Sequence, residues 1–226
     1  MSDKYPSLSP YVYCADNPVK CVDPNGEDYE VVMDEDSKSI TIKASYYCLG
    51  SDCSEENKQK LQTALEYWNN CEDFSFITKD SKQTYSIKFE LSLSDKPIGD
   101  ACNSFQVQPD LGMDSDGRKI RGEVSVGKSI IISEDAMKQP NLRTLKQEIG
   151  HTLGMKDGNV FQNNIYGENL MTQGAIKDNV EKFSIRQSLQ KFYGNYSQCG
   201  TTYSIGKCTN SINQKWHGKI IKNKKK

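Results

Sequence analysis

Residues Gln147 to Asp157 read Q-E-I-G-H-T-L-G-M-K-D, and the reading of this stretch decides the fold. Positions 147 and 151 are four apart, so on an α-helix they lie one above the other on the same face. Side chains placed in this way can share one metal ion. Glu148, one residue on, then stands beside the ion and can take a proton from bound water. Gly154 tolerates positive φ, so the chain can leave the helix in a sharp turn. That turn brings position 157 back to the same point, where a carboxylate oxygen is an accepted zinc ligand. His151 and Asp157 are thus candidate Zn²⁺ ligands and Glu148 is the candidate catalytic base. Gln147 is the discordant position. A neutral amide oxygen donates weakly, whereas catalytic zinc sites take three protein ligands from His, Glu, Asp and Cys.

The string resembles the active-site helix of the metzincin zinc peptidases, H-E-x-x-H-x-x-G-x-x-H followed by a Met-turn. Glu148, His151 and Gly154 match. Asp157 stands at the third ligand position, as in snapalysin-like metzincins, and Gln147 stands where the family carries its first histidine. E-x-x-H by itself arises on many amphipathic helices; Gly154 and Asp157 at the required offsets make the match specific. Downstream, E-N-L-M-T-Q-G offers Met171 as the Met-turn residue, set beneath the site.

The resemblance implies an α+β, zincin-like fold, with a twisted mixed β-sheet packed on the active-site helix and a C-terminal helix after the Met-turn. It implies a zinc-dependent metallopeptidase that hydrolyses peptide bonds by metal-activated water, impaired in this chain by Gln147. The alternative is a non-catalytic zincin-fold binding module that holds a peptide or an immunity partner. Gln147 is open to three explanations: natural loss, an introduced change, or an unusual ligand. The second histidine of the chain, His217, lies in a lysine-rich tail without the rigid support a ligand needs.

Residues 1–26 have another character, crowded with Pro, Asn, Asp and Tyr in the manner of successive turns. Asn17, Pro18, Val19, Asp23, Pro24 and Gly26 form an ordered string similar to the end of an Rhs repeat-associated core. In that family a variable toxin domain follows this element. The expected organisation is therefore a leader over 1–26, a zincin-like domain over 27–195 and a C-terminal extension over 196–226. The resemblance implies a polymorphic toxin or effector module, with a protein or peptide substrate and a cognate immunity protein.

The 226 residues, 35% hydrophobic and 26% charged, suffice for one good core with appendages. The formal charge of −1 conceals an uneven distribution, because Lys215 to Lys226 contain six lysines and no acid. Such a tail reads as a solvated end, and with no interleaved aromatic residue beyond Trp216 it gives no case for nucleic acid. No apolar run is long enough to span a membrane. The start lacks a secretory signal, so the expectation is synthesis in the cytoplasm and export as part of an Rhs-type effector. Among the eight cysteines, Cys48 and Cys53 are close enough to bridge a short loop, and Cys199 and Cys208 could close another. Free thiols are equally compatible with these spacings.

Periodicity supplies the remaining elements. Residues 29–33 and 39–43 read as a hairpin across D-E-D-S-K, and 54–70 as a helix capped by Ser54 with Leu61, Leu65 and Trp68 on one stripe. Residues 85–91 alternate as a half-buried strand, and 128–133 form a short apolar strand. Asn141 is the expected cap of the motif helix, and a last helix spans about 179–193. The stretch 94–123, rich in Gly, Asp and Ser, reads as a loop lining the cleft. Asp110, Asp114 and Asp116 within it have neither the spacing nor the closing Glu of an EF-hand.

Overall fold

Alternation builds the first hairpin. In β1, Glu30–Asp34, Val31 and Met33 enter the core while Glu30 and Asp34 stay exposed. β2, Ser39–Cys48, pairs with it antiparallel from Glu30↔Lys43 to Asp34↔Ser39. The Asp34 carboxylate accepts hydrogen bonds from the backbone N–H of Asp36 and Ser37, which fixes the turn. These elements belong to a computed structural model that describes residues 29–49, 54–71, 73–79, 81–98, 102–125, 129–158, 169–173, 177, 179–192 and 218–223. The leader, Cys53, the second cysteine pair and His217 lie outside the described residues.

Helix α1, Glu55–Asn69, begins as its sequence dictates. The Ser54 hydroxyl accepts from the Asn57 N–H at 3.2 Å, and Glu55 and Glu56 sit at the positive end of the helix dipole. Leu61, Leu65 and Trp68 are fully buried. Trp68 packs on Phe89 with ring centroids 5.3 Å apart and donates its indole N–H to the Lys146 carbonyl at 3.0 Å. One side chain thus joins α1, the sheet and the motif helix.

The other strands are β3, Phe74–Thr78; β4, Thr84–Ser94; β5, Cys102–Gln108; β6, Gly122–Ser125; β7, Ser129–Ser133; and β8, Gly218–Lys222. A short helix α2, Glu134–Met137, precedes α3, Arg143–Thr152, and α4, Lys182–Phe192, comes later. The strands form one mixed sheet in the order β6-β7-β5-β2-β4-β3-β8, with β1 also beside β2. β7, β5, β2 and β4 run parallel, and antiparallel strands flank them on both sides. In β4, Tyr85, Ile87, Phe89 and Leu91 are buried while Lys88 and Glu90 are exposed. One face of this α+β arrangement therefore holds the core and the other meets solvent. Among the described residues no helix is long and apolar enough to cross a membrane.

Three local readings change. The loop expected over 94–123 contains β5 and the start of β6. C-N-S-F-Q-V-Q lacks an apolar run because Asn103 and Ser104 are themselves buried between parallel neighbours. The lysine-rich tail is not wholly solvated: β8 pairs with β3, Ile220 is 9% exposed, and Lys222 reaches the Val180 carbonyl. At α3 the cap is Leu142, in the left-handed region at φ 50°, while the Asn141 side chain accepts from the Arg143 N–H at 3.3 Å. Cys48 is disulfide-bonded, whereas Cys71 and Cys102 are not in disulfides.

Because Trp68 supplies both apolar burial and the bond to α3, Trp68→Ala should cost about 3–5 kcal/mol in chemical denaturation. A cost below about 1 kcal/mol would show that α1 does not brace the motif helix through this side chain.

Candidate functional site

Helix α3 presents Arg143, Gln147, Glu148 and His151 to a cleft of roughly 1240 Å³, whose opposite wall is formed by Arg121, Gly122, Glu123 and Val124 on and beside β6. The helix ends as the spacing requires. Gly154 adopts φ +80°, and the N–H groups of Gly154 and Met155 bond back to the carbonyls of His151 and Gly150. A Cβ at Gly154 would lie 2.7 Å from the Tyr29 hydroxyl, so the position excludes a side chain on two counts. The turn returns Asp157 to His151, with Asp157 Oδ1 3.3 Å from His151 Nε2. The other ring nitrogen, Nδ1, lies 2.9 Å from the Met155 carbonyl. Four residues singled out by sequence, Gln147, Glu148, His151 and Asp157, do converge.

Gln147 is held at both ends. Arg143 Nη1 donates to its Oε1 at 3.0 Å, and its Nε2 donates to Asp157 Oδ1 at 2.7 Å. The amide orientation follows from chemistry, since a guanidinium only donates and a carboxylate only accepts. The oxygen that would have to face a metal is therefore turned to Arg143. Gln147, Asp157 and His151 hold one another, and as they stand they do not fit a zinc site with three protein ligands. Among the described residues no group of three His, Cys, Asp or Glu side chains is placed to share an ion.

The charges follow from this arrangement. Burial acts to raise the Asp157 carboxyl, but the hydrogen bonds and charge from His151, Gln147 and Arg143 outweigh it and hold Asp157 below its usual range. For His151 burial favours the neutral ring, yet Asp157, Glu148 and the Met155 carbonyl together shift it upward. Glu148 is different. It is 7% exposed, and burial pushes its carboxyl up to about 7, with the charges of Asp157 and Glu123 adding to the rise and that of His151 opposing it.

Met171 lies in the turn 169–172, 2% exposed. The turn is fixed by the Asn169 side chain accepting from the Met171 N–H, by Thr172 N–H bonding to the Asn169 carbonyl, and by Gly158 N–H bonding to the Met171 carbonyl. A Cβ at Gly150 would meet Met171 Sδ at 2.7 Å and Trp68 at 3.2 Å, so the absent side chain lets both pack under the helix. Sequence reading missed Gly150, Gly122 and Arg143. Only Arg143 left a signal, standing four residues before Gln147 on the same helix face. Of the three loop aspartates, Asp114 lines the cleft, but its carboxylate is bonded to the N–H groups of Asp116 and Arg118.

Comparison of the sequence with protein-family models and with curated proteins finds no match.

Two outcomes follow. The Glu148 carboxyl has a folded-state pKa above its unfolded value of 4.5, so its contribution to stability is fully present below about 4.5 and is lost as pH rises through 7. Relative to wild type, Glu148→Gln should therefore gain on the order of 3 kcal/mol between pH 4 and pH 8, measured by denaturant titration. A pH-independent difference would show that the carboxyl is solvated. Met171→Ala should cost about 2–5 kcal/mol, as buried large-to-small changes do; a cost below about 0.5 kcal/mol would remove Met171 from the support of α3.

Proposed function

We propose that this chain is a zincin-like domain of an Rhs-type effector that binds an extended peptide in the cleft between α3 and β6 without hydrolysing it. The observation that carries this reading is the Gln147 amide, bonded on one side to Arg143 and on the other to Asp157. A residue whose amide nitrogen and oxygen each have a charged partner is integrated into the site, and the hydrogen bonds stand where ligand bonds would be needed. The zincin-like reading rests on the convergence of Gln147, Glu148, His151 and Asp157, on the Gly154 turn, and on Met171 packed beneath the helix. The string from Asn17 to Gly26 supports delivery as the C-terminal module of a larger effector, made in the cytoplasm and exported, with a cognate immunity protein as partner.

Peptide binding follows from the wall of the cleft. β6 pairs with β7 on one side, and among the described residues nothing pairs with its other edge. An extended chain can add there as a further strand, with backbone hydrogen bonds giving affinity and alternate side chains giving selectivity.

The second reading is a zinc metallopeptidase, favoured by the Glu148 carboxyl held near 7, where a general base is effective at physiological pH. One experiment separates the two. After incubation with zinc and desalting, the unaltered chain should retain far less than one metal per chain by elemental analysis and should leave an unfolded protein substrate intact. Gln147→His places imidazoles at i and i+4 beside Asp157 and should raise the metal content towards one. Near-stoichiometric zinc together with cleavage by the unaltered chain would make the peptidase reading the correct one.

A further inference from the structure

The floor of the cleft carries a buried carboxyl that receives no hydrogen bond from the described residues. Glu148 is 7% exposed and lines the cleft, yet among the described residues no group donates a hydrogen bond to its carboxyl. A carboxyl so placed is costly unless something pairs with it. Its position is set by Gly122 of β6: a Cβ there would meet Glu148 Cγ at 2.9 Å and Oε1 at 3.0 Å. The missing side chain lets the carboxyl rise directly beneath the open-edged strand. An incoming strand on that edge would send every second side chain towards α3.

We propose that the cleft takes a lysine or arginine side chain of an extended peptide paired along β6, with the cation seated on the Glu148 carboxylate. This rests on the peptide-binding reading above. Charge complementarity selects the occupant. Glu123 adds an exposed carboxylate on β6, and Asp157, already bonded to Gln147 and His151, adds negative charge on the opposite wall. Much of the positive charge of the lining is already engaged. Arg143 is bonded to Gln147 and to the carbonyls of Lys177, Asn169, Leu170 and Thr172. Lys119 pairs with Asp135 at 2.6 Å and Arg118 with Asp116 at 3.8 Å. Arg121 and Lys156 are exposed at the rim, where they favour an acidic or C-terminal group flanking the central cation. An ammonium or guanidinium needs one carboxylate and a few acceptors, whereas a divalent ion would need several donors at once, and the neighbouring ones already bond to each other.

The test uses fluorescein-labelled peptides of about ten β-forming residues, alike except for a central Lys, Arg, norleucine or Glu, titrated with the full chain and followed by anisotropy. The Lys and Arg peptides should bind about tenfold tighter than the norleucine peptide, and the Glu peptide more weakly still. Glu148→Gln, checked for folding by circular dichroism, should bring the Lys peptide to the norleucine level, while Glu123→Gln should reduce it only a few-fold. N-methylation of alternate backbone amides should abolish binding of every peptide. Equal affinity for all four, unchanged in Glu148→Gln, would overturn the cation pocket and leave the peptide cleft standing. Failure of all four to bind would overturn the peptide cleft itself, and the cation pocket with it.

Discussion

A buried guanidinium organises the site. Arg143 is 9% exposed and donates to the carbonyls of Lys177, Asn169, Leu170 and Thr172 as well as to Gln147. Removing such a charge from water costs several kcal/mol unless its donors are matched, so these acceptors are fixed wherever Arg143 is fixed. The planar fork suits the task, because its donors diverge in set directions towards the helix and the returning chain. Through Arg143 the turn that carries Met171 is held against α3, and through Gln147 the same charge reaches Asp157 and then His151. The effect is that of a cross-link between helix, turn and loop.

The sheet supplies the opposite wall. Parallel strands in the middle are covered by α1 and α3, while β6 joins antiparallel at the margin and keeps one edge unpaired among the described residues. An unpaired edge over a helix is open to another strand. Gly122 thins that wall where Glu148 approaches it, and Gly150 thins the helix where Trp68 and Met171 approach from below. Two glycines, neither of them in a turn, therefore set the depth of the cleft and the height of its floor. Where β-branched or larger residues stood, the strand and helix would separate and the carboxyl would be displaced.

Electrostatics then divides the carboxylates by environment. Asp157, bonded to Gln147 and His151, stays charged, whereas burial is the dominant influence on Glu148 and pushes its carboxyl up to about 7. Two acids on one wall with such different titration give the cleft a fixed negative point and a responsive one. The fixed point belongs to the scaffold, because its partners are all within the chain. The responsive one is open to whatever enters.

Local pattern determined much of the architecture. The β1–β2 hairpin, the Ser54 cap, the stripe of Leu61, Leu65 and Trp68, the alternation of β4 and the Gly154 turn all depend on residues close in sequence, and all were legible. The spacing of Gln147, Glu148, His151 and Asp157 also announced their convergence, because helix periodicity and one glycine turn are enough to bring them together. What stayed hidden required partners far along the chain. β5 is a strand because β2 and β7 flank it, despite its polar composition, and β8 orders a lysine-rich stretch because β3 offers it an edge. The orientation of the Gln147 amide was likewise beyond the sequence. Its nitrogen faces Asp157 because Arg143, tied to carbonyls some thirty residues downstream, claims its oxygen. Short-range periodicity fixed which residues meet; long-range hydrogen bonding decided what they do to one another.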